Sequence, residues 1–367
     1  MKKVWILFGF PLIVAVGVVL SRGKLAVDIS KVFLAVTNPV ETMEYINSSK
    51  LPQGEFAETD NSTENKAENI DVVQNNDSAA NPFEGFDITE GEDTATNTVT
   101  DTEHPIAEMT YASATSNIIY KRQNCYVKNL TSLSEGEVEA ELLQEVAFKV
   151  EKNSNQPQIL IMHTHATESY QNYPELFYDP EYSCRDTDVS KNMVSVGKII
   201  ADKLNALGYN TLHDATLHDY PSYNESYGRS KATVEKYLAE YPSIKVVLDV
   251  HRDAIERTDG TRIKPVVTIN GKKYAQVMII SGADNGYLNM PDYKKNLRFA
   301  SHFQNAMESF YPGLTRPILF DYRNYNQQLT TGSLLVEVGG HANTLEEAQN
   351  SATLIAYSLA KVFDNMQ

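Results

Sequence analysis

The stretch QILIMHTHATESY, Gln158 to Tyr170, runs through four apolar residues and then sets His163, His165 and Glu168 within six positions. An apolar run this short and continuous suits a strand buried on both faces. The ionisable groups that follow stand where such a strand leaves the core. Two more runs have the same form. IKVVLDVHRDAI (244–255) delivers His251, Arg252 and Asp253, and GSLLVEVGG (332–340) carries Glu337 just before Gly339 and Gly340.

Helical patterns separate these runs. In VSKNMVSVGKIIADKLNALGYN (189–210) the apolar positions Met193, Val196, Ile200, Leu204 and Leu207 recur at spacings of three and four, and Gly208 stands where a C-cap glycine would. KATVEKYLAEYP (231–242) and NLRFASHFQNAMESFYPG (296–313) read as further helices. TLEEAQNSATLIAYSLAKVF (344–363) is the closing one, with Thr344 and Glu347 spaced as a capping box. TRIKPVVTINGKKYAQVMIISG (261–282) reads as two strands around Asn270-Gly271, the strongest hairpin dipeptide. Alternating apolar strands and amphipathic helices argue an α/β fold, a sheet covered by helices on both faces.

The N-terminal third has a different character. Val4 to Leu20 is uncharged over 17 residues, flanked by Lys2 and Lys3 before and Arg22 and Lys24 after. Residues 1–24 are therefore expected to be an uncleaved transmembrane signal anchor. Residues 25–50 form a juxtamembrane segment, and 51–110 an acidic linker without apolar period, expected to be disordered. Between Glu55 and Glu103 fourteen acidic residues face a single Lys66, which accounts for −13 of the chain's net −16. The remaining region, 111–367, is near neutral, and no basic stripe exists to engage nucleic acid. Cys125 and Cys184 are isolated, so they make no zinc knuckle, and spacing leaves their pairing open.

In open α/β sheets ligand sites gather at the carboxyl ends of the strands. Imidazole and carboxylate are the ligands that hydrolytic zinc takes, with a fourth position left for water and a separate carboxylate to accept its proton. Singly, a histidine such as His251 at a strand end is more often a hydrogen-bonded structural residue, and His163 and His165 can be read as caps of the following helix or loop. Glu337 is harder to set aside, since an ionised carboxylate in an apolar strand is costly unless paired or metal-linked. Other chemistries lack support. His251-Arg252-Asp253 has no kinase glycine loop beside it, and no Gly-x-Ser-x-Gly elbow occurs.

HTHATESY, LDVHRDA and LLVEVGGHANTLEEA together resemble the stage II sporulation protein P family of endospore-forming bacteria, in order and spacing, over about residues 110 to 365. The anchor and acidic linker match that family's layout. The resemblance extends to the zinc-dependent N-acetylmuramoyl-L-alanine amidases, and it implies a mixed, mostly parallel sheet flanked by helices. It also implies Zn2+ held by His165 and His251, with Glu337 as catalytic carboxylate. The amidases take a third ligand, a glutamate, from the helix after the first strand. CRDTDVSKNMVSVG (184–197) has none there, so either Glu168 serves or a shorter carboxylate, Asp188 or Asp186. His163 is expected on the same side of the strand as His165, as a supporting or replacement ligand. Arg252 is expected either to orient an acidic group of the substrate or to pair with Asp253.

The function implied is hydrolysis of the muramoyl–L-alanine amide of peptidoglycan, with associated endopeptidase activity on cross-links. It would be exerted outside the cell membrane in septal thinning and engulfment, beside stage II sporulation proteins D and M. The alternatives are a wall-binding scaffold with a degenerate site and a metal-dependent hydrolase of another bond, such as a carbohydrate deacetylase.

Overall fold

Ile159–Met162, Val246–Asp253 and Gly332–Gly340 lie side by side as neighbouring parallel strands. The computed structural model describes residues 104–112 and 115–366, together with two short strands, β1 (Lys3–Val4) and β2 (Val18–Val19), that pair antiparallel in a unit of their own. The expected anchor (1–24), juxtamembrane segment (25–50) and acidic linker (51–110) otherwise lie outside the described residues up to 103. Among the described residues no helix is long and apolar enough to cross a membrane.

The remaining strands are β3 (Ile106–Met109), β4 (Ile119–Arg122), β5 (Cys125–Asn129), β6 (Ile159–Met162), β7 (Thr211–His213), β8 (Val246–Asp253), β9 (Arg262–Ile269), β10 (Lys272–Ala275), β11 (Val277–Gly282), β12 (Ile318–Asp321) and β13 (Gly332–Gly340). The helices are α1 (Glu135–Leu142), α2 (Met193–Ala206), α3 (Ser226–Glu240), α4 (Tyr293–Phe310) and α5 (Leu345–Asp364). Eight strands form the main sheet in the order β4-β5-β12-β11-β13-β8-β6-β7. Only β4–β5 and β11–β13 pair antiparallel, so the sheet is mixed and mostly parallel, as expected.

Alternation along the strands explains their unbroken hydrophobicity. Ile159, Ile161, Val246, Leu248, Val336 and Val338 face a core shared with α2, α4 and α5. Leu160, Met162 and Val247 face the opposite way, against Val234, Tyr237 and Leu238 of α3. Helices therefore cover both faces, but unequally: α3 shields only one end of its face. α2 starts at Asn192, whose side chain accepts from Val194 N at 3.0 Å, and stops before Gly208 at φ +89. α5 starts with the expected capping box between Thr344 and Glu347.

Two boundaries differ from expectation. The folded unit begins inside the expected linker, because Ile106–Met109 pairs in parallel with β9. The Asn270-Gly271 hairpin, with φ of 51° and 76°, joins β9 to β10 only. After Gln276 the chain leaves this small β10-β9-β3 sheet, and β11 enters the main one. Gln276 ties the crossing down: its buried amide accepts from Tyr111 N at 2.8 Å and donates to Gly313 O at 2.8 Å. Cys125 and Cys184 are buried and unpaired.

Gly339 ends the regular register between β13 and β8. Its φ is +70°, and a Cβ there would stand 2.6 Å from Asn343 Oδ1 and 2.7 Å from Ala275 Cβ. Gly339→Ala is expected to cost about 2–4 kcal/mol, from left-handed backbone strain plus overpacking. Denaturant unfolding checks this, and a loss under 1 kcal/mol would mean that the bulge relaxes freely.

Candidate active site

Register puts the functional groups together. His251 on β8 is the Cα partner of Glu337 on β13, which in turn faces Met278 on β11. Side chains of one parity on each strand share a face. His251, Leu335, Glu337, Met278, Ile280 and Leu319 thus line one cleft of about 220 Å³ on the sheet face not covered by α2, α4 and α5, with Asp249 behind His251. The cleft is built on the face of the sheet toward the carboxyl ends of β8 and β13.

The segment after β6 reaches the same cleft by turning. Thr164 donates from N and Oγ1 to the two oxygens of Asp249 at 2.7 and 2.6 Å, which ends the extended strand. Thr167 does the same to Asp219, at 3.1 and 2.6 Å. Between these two fastened points His165 swings into the cleft, and Glu168 follows it. Tyr223 lies flat on the His165 ring, with centroids 4.5 Å apart and planes at 6°, and Tyr227 meets it edge-on at 5.5 Å. The His165 and His251 rings stand 5.3 Å apart at 90°.

His251 lies between two carboxylates. Its Nε2 is 2.8 Å from Asp249 Oδ1, close enough for an ion pair but off the line of a hydrogen bond, and Nδ1 is 3.6 Å from Glu168 Oε2. Burial works against its charge, yet Asp249 and Glu168 hold its pKa well above the ordinary value. Glu168 is held well below the usual carboxylate range: burial opposes this, but Arg252 and His251 outweigh it. Burial, opposed by Glu168, lowers His165. Glu337 goes the other way, pushed up to about 8 by burial and by the charge of Asp253. Carboxylates driven apart in one site mark an acid–base division of labour.

The donor set fits a zinc ion in kind. Among the described residues His165 Nδ1 and Glu337 Oε2 are buried without a hydrogen-bond partner, and Glu168 presents an ionised oxygen beside them. His251 has a carboxylate behind one nitrogen, the support that metal-ligating histidines commonly have. Among the described residues no three such groups stand in a ready-formed metal cluster. His165, His251 and Glu168 are the side chains that could hold the ion.

Three of the sequence-derived candidates are placed elsewhere or otherwise engaged. His163 is fully buried behind the sheet, bonded from Nδ1 to the Val250 carbonyl at 2.8 Å and from Nε2 to His213 at 3.1 Å. Burial and His213 push its pKa down to about 3. The expected alternation with His165 fails because β6 ends at Met162 and the backbone turns. Asp188 is exposed and caps its own turn through Ser190, at 3.0 and 2.7 Å. Arg252 touches the cleft, but its guanidinium binds the Ser169 and Cys184 carbonyls at 2.9 and 3.0 Å and so fastens the Glu168 loop. Asp253 does not pair with it through the carboxylate, which takes Arg316 at 2.8 Å.

Several residues in and around the cleft escaped the sequence reading. Asp249 was legible, since it sits two positions before His251 and so on the same face. Asp219, Tyr223 and Tyr227 come from a loop and helix with no apolar signature. Arg185 bridges this group, 2.7 Å from Asp219 and over the Tyr223 ring at 4.9 Å.

A family model described as stage II sporulation protein P matches residues 36–360. The stage II sporulation protein P of Bacillus subtilis (strain 168) is 31% identical over 221 residues, 57% of this chain. The match spans half the length of that relative, 50%. Among solved structures, the N-acetylmuramoyl-L-alanine amidase AmiC2 of Nostoc punctiforme is similar at 14% identity and TM-score 0.34, over 58% of this chain and 97% of its own. The N-acetylmuramoyl-L-alanine amidase from Clostridium difficile 630 is similar at 15% identity and TM-score 0.34, with the same coverage of 58% and 97%.

Proposed function

This chain belongs to the stage II sporulation protein P family, and we propose that its folded unit is a zinc-dependent peptidoglycan hydrolase that cleaves the muramoyl–L-alanine amide. The observation that carries the reading is the meeting of His165, Glu168, His251 and Glu337, from three separate parts of the chain, in one cleft. His165, His251 and Glu168 would hold the ion. Zinc, when bound, supplies Lewis acidity that makes a water acidic enough to lose its proton near neutral pH.

The protein groups divide the remaining work. Glu337 takes the proton of the attacking water at a carboxylate oxygen and returns it to the leaving amine, so that the C–N bond breaks to a free acid and a free amine. Asp249 fixes the plane of His251, and the Tyr223 ring fixes that of His165. Arg252 holds Glu168 in place through the backbone carbonyls on either side of its loop. In the same proposal the head works outside the membrane on an anchor over residues 1–24, beside stage II sporulation proteins D and M. Endopeptidase activity on cross-links belongs to the proposal too.

Product analysis tests the reading. Peptidoglycan digested by the full-length chain with zinc should release intact stem peptides bearing a new L-alanine amine. Acetate without new amine would identify a deacetylase instead, and tight wall binding without any product would identify a scaffold.

A further inference from the structure

The cleft continues beyond the groups assigned to catalysis. Its floor runs from Glu337 over Leu335, Met278, Ile280 and Leu319, a buried apolar cluster separate from the main core. These residues come from β13, β11 and β12 in turn. Past the end of β12 the wall is Arg323. Its guanidinium is held from two sides: Nε donates to Asp321 Oδ2 at 2.9 Å and Nη1 to the Tyr325 hydroxyl at 2.6 Å. The third nitrogen, Nη2, has no protein partner among the described residues, and the side chain is 26% exposed.

A guanidinium oriented in this way, with one N–H edge left over, is suited to a carboxylate. The other arginines of this cleft stand at its catalytic end: Arg185 binds Asp219 and Thr167 through Nη1 and turns Nη2 toward Glu168 at 3.8 Å, and Arg252 is taken by backbone carbonyls. A glycan laid on the floor would find hydrocarbon and thioether groups in place of the hydrogen-bond partners its hydroxyls require. A peptide with small apolar side chains finds a fitting surface. Two strand spacings separate β13 from β12, roughly 10 Å, and about three extended residues cover that distance.

We propose that this limb of the cleft is a peptide subsite, in which an extended peptide with free carboxylates lies over the apolar floor and gives one of them to Arg323. The assignment rests on the peptidoglycan reading, in which the stem peptide is that carboxylate-bearing peptide. Arg323 then sets which side of the scissile amide points along the floor, and it favours stems whose carboxylates are free over stems whose carboxylates are amidated.

The test is binding of a free peptide that contains no muramoyl amide, measured by calorimetry with the full-length chain. The probes are L-alanyl-γ-D-glutamyl-L-lysyl-D-alanine and the same peptide with both carboxylates amidated. Amidation is expected to weaken binding to the parent chain about tenfold. Arg323→Gln should weaken the peptide with free carboxylates by a similar factor and respond less than twofold to amidation. A folding defect would weaken both peptides alike, which separates it from a lost carboxylate contact. Arg323→Lys, which keeps the charge without the planar fork, should lie between. Equal amidation penalties in the parent chain and Arg323→Gln would overturn the subsite, as would no binding of either peptide. Peptide binding with this pattern but no hydrolysis of peptidoglycan would keep the subsite and sink the hydrolase reading. Hydrolysis without the pattern would do the reverse.

Discussion

The Glu337→Gln variant is expected to bind zinc as the parent chain does and to turn over about 10²–10⁴-fold more slowly, the usual worth of a positioned proton acceptor. The amide is nearly isosteric and cannot accept the proton of water. KM should change little, because the apolar floor and the histidines are untouched. Undiminished turnover would remove Glu337 from the mechanism.

The same variant carries a signature in stability. In the ion-free chain the Glu337 carboxyl titrates at about 8 against an ordinary 4.5, because it is buried and faces Asp253. A carboxyl raised on folding contributes stability that is fully present below about 4.5 and lost as the pH climbs through 8. Glutamine stays neutral throughout. With a chelator present, the melting temperature of Glu337→Gln should therefore rise relative to the parent as the pH goes from about 5 to 8. A constant difference across that window would show that the parent's carboxyl is already ionised at the acid end.

His251→Ala is expected to have the largest combined effect. It should drop bound zinc from about one per chain to below a tenth and bring hydrolysis to background, since it removes one of three protein ligands. It should also destabilise the ion-free chain by about 3–5 kcal/mol, because Asp249 and Glu168 lose the cation between them. His165→Ala makes the contrast. That side chain is held by ring stacking on Tyr223, and its Nδ1 has no hydrogen-bond partner among the described residues, with Asp219 Oδ2 no nearer than 3.9 Å. It should lose zinc equally while costing markedly less stability. Elemental analysis and denaturant unfolding of both variants decide the matter. Stoichiometric zinc in His251→Ala would exclude that residue as a ligand.

The legibility of this site followed the physics of each element. β6, β8 and β13 were readable because a strand buried on both faces must be apolar throughout, and His251 and Glu337 stand out against that background. α2 and α5 were readable because their caps and spacings are local, and Gly208 and Thr344 act within a few residues of where they sit. Errors began where the backbone stopped being regular. His163 was expected beside His165 on the rule that alternate residues share a face, but that rule needs an extended chain, and Thr164 breaks it by binding Asp249. Arg252 was expected either to orient an acidic group of the substrate or to pair with Asp253. Its donors instead go to backbone carbonyls of a loop that begins more than sixty residues earlier in the chain, contacts that no local pattern encodes.

What the sequence by itself determined is the set of buried strands, the helices between them and the chemical kit of imidazoles and carboxylates at their ends. These follow from hydrophobic period and from the cost of placing an ionisable group in an apolar run, both of which act over a few residues. Tertiary structure alone decided which members of the kit share a cleft, which carboxylate has its pKa raised by burial, and that Arg323 closes the far end. Those outcomes depend on strand order, register and turns, which join residues distant in the chain through packing that only the assembled sheet creates.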